Sequence, residues 1–272
     1  MICIIQVIHL FRQWDRRGNM VKGIWIKNAL AIDKTGEKWF FRTLFLLLFF
    51  IFALASYFQV GNSDLTNLLR WMVDPVQSEE VITTGSPGIP QEVIENIYYI
   101  IYNFAIRFFA LLAIVFSFCM YTTQIVKIPL RKAANYFFSR LFYVIPTLMV
   151  YFLLSLLPFI SIVAFLFVLP VCVLAPGLMI FEKANPVAAV VNSYRKISGR
   201  LAVVLFNLGC LYLIHFLIQF LSAYIFPSGL GGQSLIFGFV MAFYALSMGK
   251  MVALLFGQYH LIPQSQRKGE NV

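Results

Sequence analysis

Three polar side chains in one apolar stretch, Asn207, His215 and Gln219, are spaced by eight and four residues, with Ser222 three further on. On a helix they are expected to share a face. Such a face can line a polar cavity, and His215 is the residue there able to change protonation near neutral pH. The plainer alternative is hydrogen bonding between helices, at about 1 kcal/mol per pair. That alternative is preferred, because no carboxylate accompanies the histidine in its apolar run.

Arg107 is the one ionised residue near the middle of an apolar run. An unpaired charge there is costly, and so is a candidate for function. Yet Phe108 to Val126 alone supplies 19 uncharged residues, enough to cross, so snorkelling of Arg107 to headgroups is preferred. A third group is Arg195, Lys196 and Arg200, on the polar side of a segment whose Val187, Val190, Val191, Tyr194 and Ile197 fall on the other side. Asn185 and Pro186 supply an N-cap and a first-turn proline. The expectation is an amphipathic helix over 186–199 that rests on a membrane surface and meets anionic headgroups, as lipid contact or as a topological anchor.

Ser234, Gly238 and Ala242, then Ala245, Gly249, Ala253 and Gly257, recur every four residues. Small side chains so spaced let a second helix approach closely. Packing within the chain is the leading expectation and a homo-oligomer seam the alternative. Lys250, in the same run, is expected to reach headgroups.

Catalytic machinery is not expected. The chain has no GxSxG, HExxH, P-loop or dinucleotide fingerprint, and its acids lie in loops or tails, Glu182 alone bordering a span end on the basic side. Cys3, Cys119, Cys172 and Cys210 show no CxxC or zinc spacing, so neither metal nor cofactor is expected.

The elements that must carry these residues follow from composition. The 272 residues are 61% hydrophobic and 12% charged, where soluble chains average about 25% charged. Lipid provides an apolar solvent for that excess, so an all-α polytopic transmembrane bundle is expected. The net charge of +10 is spread between apolar runs, which favours lipid headgroups over nucleic acid as its partner. Six spans are expected, at about Leu44–Phe58, Phe104–Ile125, Phe137–Leu157, Ile160–Phe181, Leu201–Phe226 and Leu235–Gln258. Pro158 is expected to turn a hairpin between the third and fourth, or else to kink one segment. Pro158, Pro170 and Pro176 can also make the broken helices that some transporters use.

Of 21 Lys and Arg residues, 19 lie in residues 1–42, 122–140, 182–200 and 250–272. The positive-inside rule puts those segments, and both termini, in the cytoplasm. The expected organisation is a cytoplasmic segment 1–42, a membrane domain 43–258 and a cytoplasmic tail 259–272. An external loop at 59–103 holds six of the eleven acids. Within it, Pro90 and Gln91 to Glu95 open a helix expected to lie along the outer interface before turning inward. Ile2 to Phe11 has no basic residues before it, unlike a signal peptide. Residues 1–19 are thus expected to precede a functional start at Met20, Met1 being the alternative, and the first span is the expected anchor.

The run Asp33, Lys34, Thr35, Gly36, then Trp39, Phe40, Phe41 and Arg42 before the first span, resembles the YciC-type inner-membrane proteins of gamma-proteobacteria. So does Leu174 to Glu182, followed by Pro186 to Arg200 with its Ser193, Tyr194 and Arg195. This second stretch is also similar to the integral membrane domain attached to some glycerophosphodiester phosphodiesterases. The resemblance covers the chain from about Met20 onward. It implies a six-span bacterial inner-membrane protein of poorly defined role and transfers no catalytic residue. The expected function is therefore non-enzymatic, in envelope or lipid homeostasis. The alternative is a small-molecule or ion transporter using the proline-broken spans and the Asn207, His215 and Gln219 face.

Overall fold

The computed structural model describes residues 26–34, 37–73, 90–125, 129–154, 174–197, 201–225 and 230–257, and every regular element among them is helical. In chain order these are α1 (Ile26–Leu30), α2 (Lys38–Tyr57), α3 (Thr66–Val73), α4 (Gln91–Ile125) and α5 (Leu130–Leu154). After them come α6 (174–181), α7 (Pro186–Ile197), α8 (Leu201–Ile225) and α9 (Leu230–Phe256).

Among the described residues, four helices are long and apolar enough to cross a membrane: α2, α4, α8 and α9. The third expected span falls on α5 and on residues beyond it. α5 carries Arg131, Lys132 and Arg140 in its first half. The fourth expected span, with Pro158 and Pro170, lies outside the described residues except for α6, which contains Pro176. Met1, Met20 and the tail also lie outside them.

The helix opening at Gln91 does not turn. α4 runs for 35 residues without glycine or proline, a rod of about 52 Å. That exceeds an apolar bilayer core of about 30 Å, so one end projects. The projecting end is tied to the chain after α2. Asp64 caps α3, its Oδ1 accepting from the Thr66 backbone N–H at 3.1 Å and from the Thr66 hydroxyl at 2.6 Å. These bonds, the hydroxyl's first, hold the Asp64 carboxyl below its ordinary range. The buried Asn96 amide on α4 donates to the carbonyls of Asn62 at 3.0 Å and Asp64 at 2.7 Å. Gly61, at φ +87°, lies so close to α4 that a Cβ there would collide with the Glu95 carbonyl. With Glu92 and Glu95 beside it, this knot forms an acidic end of the bundle; Lys38, Arg42 and α1 mark the opposite, basic end.

The core is organised around α9. Of its most apolar window, 72% is buried within the protein, against 28% for α2. α9 packs on α2, α4, α8 and α1. Two glycines permit the closest approaches. A Cβ at Gly238 would lie 2.7 Å from the Phe49 carbonyl oxygen of α2, and one at Gly249 would lie 2.8 Å from the Ile114 carbonyl oxygen of α4. Backbone cannot move aside as a flexible side chain can, so neither position admits a larger residue without parting two helices. Gly209 on α8, by contrast, has open space around its Cβ position.

Replacing Gly249 by Val is expected to destabilise the folded chain by about 1–3 kcal/mol or more through overpacking. Gly209→Ala should be neutral or slightly stabilising. Thermal unfolding of both variants in detergent compares them, and equal melting temperatures would contradict the close packing.

Candidate functional site

The most distinctive polar arrangement is at the basic end, where two spanning helices hold successive carbonyls of the turn after α1. Helix ends leave carbonyls without partners inside the helix. Lys250 of α9 donates from Nζ to the Ala31 carbonyl at 2.6 Å. Tyr121 of α4 donates from its hydroxyl to the Ile32 carbonyl at 2.7 Å. The ammonium also lies 5.6 Å from the centre of the Tyr121 ring, and that ring stacks on Phe41 of α2 at 4.0 Å with planes 2° apart. One residue beyond Ile32, Asp33 pairs with Arg42 at 3.1 Å. Hydrogen bonding from Arg42 holds the Asp33 carboxyl below its ordinary range.

Lys250 thus departs from the expectation that it reaches headgroups: it is 2% exposed. Helical side chains tilt toward the N-terminus of their helix. In α9 that direction leads away from the basic end and into the bundle. An ammonium in that position needs an acceptor, and the end of α1 supplies one.

The polar stripe of α8 is divided. Asn207 is buried and donates to the Val203 carbonyl of its own helix at 2.9 Å. His215 is buried, with Nε2 2.7 Å from the Ser247 hydroxyl of α9 and the rings of Phe243 and Tyr244 beside it. The Ser247 hydroxyl also lies 2.7 Å from the Phe243 carbonyl and 3.2 Å from the Tyr244 carbonyl. Which of His215 Nε2 and Ser247 donates to the other depends on the ring tautomer, and in either tautomer Nδ1 is a buried atom with no hydrogen-bond partner. Gln219 is exposed. The expectation of one shared face fails on geometry: at 3.6 residues per turn, positions eight and twelve along lie about 80° and 120° from the first.

Arg107 is exposed on α4. Its side chain tilts toward the acidic end, the end nearer to it along α4. Tyr102, five residues before it, reaches the Ala55 carbonyl near the end of α2 at 2.6 Å. In the stripe of small residues, Ser234, Ala242, Ala245 and Ala253 are buried with Gly238 and Gly249, while Gly257 is half-buried.

On α7, Asn185 accepts from the Ala188 N–H at 2.7 Å through its side chain. Lys183, at φ +55°, turns the chain between α6 and α7 in a conformation usually left to glycine. Ala189 and Ser193 are fully buried, while Val187 and Tyr194 are 75% and 52% exposed and Arg195 is exposed. Of the other two basic candidates, the Lys196 side chain and all of Arg200 lie outside the described residues.

Sequence reasoning passed over the Lys250, Tyr121 and α1 arrangement. A weak signal existed: a lysine seven residues inside the end of an otherwise apolar helix, set one position after a packing glycine. Among the described residues no three His, Cys, Asp or Glu side chains converge as metal ligands would. The Cys119 thiol faces the Ala133 carbonyl at 3.5 Å. What the site does chemically is hold backbone in place. No family model matches the chain, and neither the curated proteins nor the solved structures contain a match.

Lys250→Met would remove one of two donors to the Ala31 carbonyl, which keeps the Lys34 backbone N–H at 3.1 Å, an expected loss of about 0.5–1.5 kcal/mol. Amide exchange over residues 26–34 should accelerate, and Tyr121→Phe should have a smaller effect that is non-additive with it. Unchanged exchange in Lys250→Met would contradict this role. The Asp33 pair adds a pH dependence. Because its folded-state pKa is lowered, its contribution is present above the ordinary carboxylate pKa and disappears as pH falls through the lowered value. Exchange measured across the acid range should show that loss in the wild type and not in Asp33→Asn.

Proposed function

We propose that this protein is a non-enzymatic multi-pass protein of the bacterial inner membrane, of the YciC-like kind, acting in envelope or lipid homeostasis through lipid contact at α7. In this reading the basic end and both termini are cytoplasmic, six spans cross the bilayer, and the partners are membrane lipids, anionic headgroups among them. A second copy of the chain or another membrane protein is a further partner compatible with the packing helices.

The observation that carries the reading is the division of α7. Ala189 and Ser193 anchor the helix to the bundle, while Val187, Val191 and Tyr194 stay exposed with Arg195. An apolar face exposed beside basic residues suits a helix lying in the plane of a membrane interface. The distribution of 19 of 21 basic residues supports a cytoplasmic position for that interface. Transport has less support, since His215 is engaged with Ser247 among aromatic rings and Gln219 is exposed apart from it.

Spin labels placed singly at positions 187, 191 and 194 of the full chain, in vesicles of phosphatidylethanolamine with phosphatidylglycerol, should be more accessible to oxygen than to an aqueous nickel complex. A label at position 192 should show the reverse. Burial should deepen as the anionic fraction rises. Equal access of the nickel complex to all four positions, at every composition, would remove the lipid-contact reading.

A further inference from the structure

The turn after α1 and the first turns of α2 enclose an open groove of about 450 Å³, lined by Ile32, Asp33, Phe41, Arg42, Phe45 and Leu46. That size falls within the range of about 300–1,000 Å³ usual for small-ligand sites. Of the six described residues that line it, four are apolar. The other two carry opposite charges 3.1 Å apart, with 66% of the Arg42 side chain and 37% of the Asp33 side chain exposed.

The position of the groove narrows what can occupy it. Trp39, Arg42 and Leu46 are spaced by three and four residues along α2 and are all exposed, so they form one stripe on its outer surface. In a helix that spans a membrane this stripe meets lipid. Arg42 is also where charge first interrupts the apolar run read back from Tyr57. Guanidinium and carboxylate therefore sit where hydrocarbon gives way to headgroups, and the apolar walls lie at the same level.

We propose that this groove binds a zwitterionic aminophospholipid of the leaflet at the basic end. The phosphate engages the Arg42 guanidinium, the primary ammonium engages the Asp33 carboxylate, and an acyl chain lies against Phe45 and Leu46.

Charge complementarity selects this class. A guanidinium offers paired donors to a phosphate. An anionic glycerol headgroup would satisfy Arg42 but set its negative charge beside Asp33 with no cation for the carboxylate. A choline headgroup brings a cation without N–H donors. Only a primary ammonium supplies both the charge and the hydrogen bonds that Asp33 can accept. Opening the existing ion pair is a small obstacle, since solvent-exposed pairs of this kind are weak.

The proposal shares with the proposed function the view that the basic end meets lipid, but it uses a surface distinct from α7. The α7 spin-label experiment can therefore fail without affecting it. The test is native mass spectrometry of the full chain, released from detergent after incubation with equimolar phosphatidylethanolamine, phosphatidylglycerol and phosphatidylcholine. The wild type should retain phosphatidylethanolamine over each of the others by about threefold or more. Asp33→Asn should lose that preference while still retaining phosphatidylglycerol, and Arg42→Gln should lose the retention of phosphatidylethanolamine. Leu46→Trp, which fills the groove and keeps both charges, should reduce retention with an unchanged melting temperature. Equal retention of the three lipids by the wild type would overturn the proposal, as would a preference that survives Asp33→Asn. Retention of no lipid would do the same, showing the groove covered by other parts of the chain or by a second copy.

Discussion

α9 can be enclosed on several sides only where its backbone comes within contact of its neighbours' backbones, and it does so at Gly238 against α2 and at Gly249 against α4. Lipid tails are as apolar as leucine, so hydrophobicity gives two spanning helices little reason to associate. Close packing must supply it. The aromatic-rich outer faces of α2 and α8 can remain open to lipid because the bundle is held from its centre. The polar contacts depend on the same closeness. His215 meets Ser247, and Lys250 meets the end of α1, because α9 sits between the helices that carry or flank these groups.

Charge is separated along the bundle. The acidic end is fastened by the Asn96 amide on two backbone carbonyls and by Thr66 on the Asp64 carboxylate. The basic end is fastened by an ammonium and a phenol that hold two carbonyls in sequence. The second arrangement joins α1 to the spanning helices. α1 thereby packs with the bundle, against α9 and α8.

How much of this was legible depends on the kind of information each feature needs. The apolar helices were, because length and composition are local properties. The small-residue stripe was too, although which helix each glycine meets is a matter of tertiary arrangement. Continuity of α4 was not, because acids and polar residues near its start suggested a surface segment, whereas Asn96 draws that start into the knot. Gln219 was misplaced by treating intervals of eight and twelve as equivalent, a rotation that accumulates along any helix. Lys250 was misplaced because its distance from the helix end says nothing of an acceptor 219 residues earlier in the chain.

α4 has no residue at which it can readily bend between the Asn96 knot and Tyr121. A helix without glycine or proline over that distance behaves as a stiff lever. The Asn96 knot and the Ile32 carbonyl are thus joined by one unbroken helix, so the spacing between the two ends of the bundle is set by the length of α4 alone.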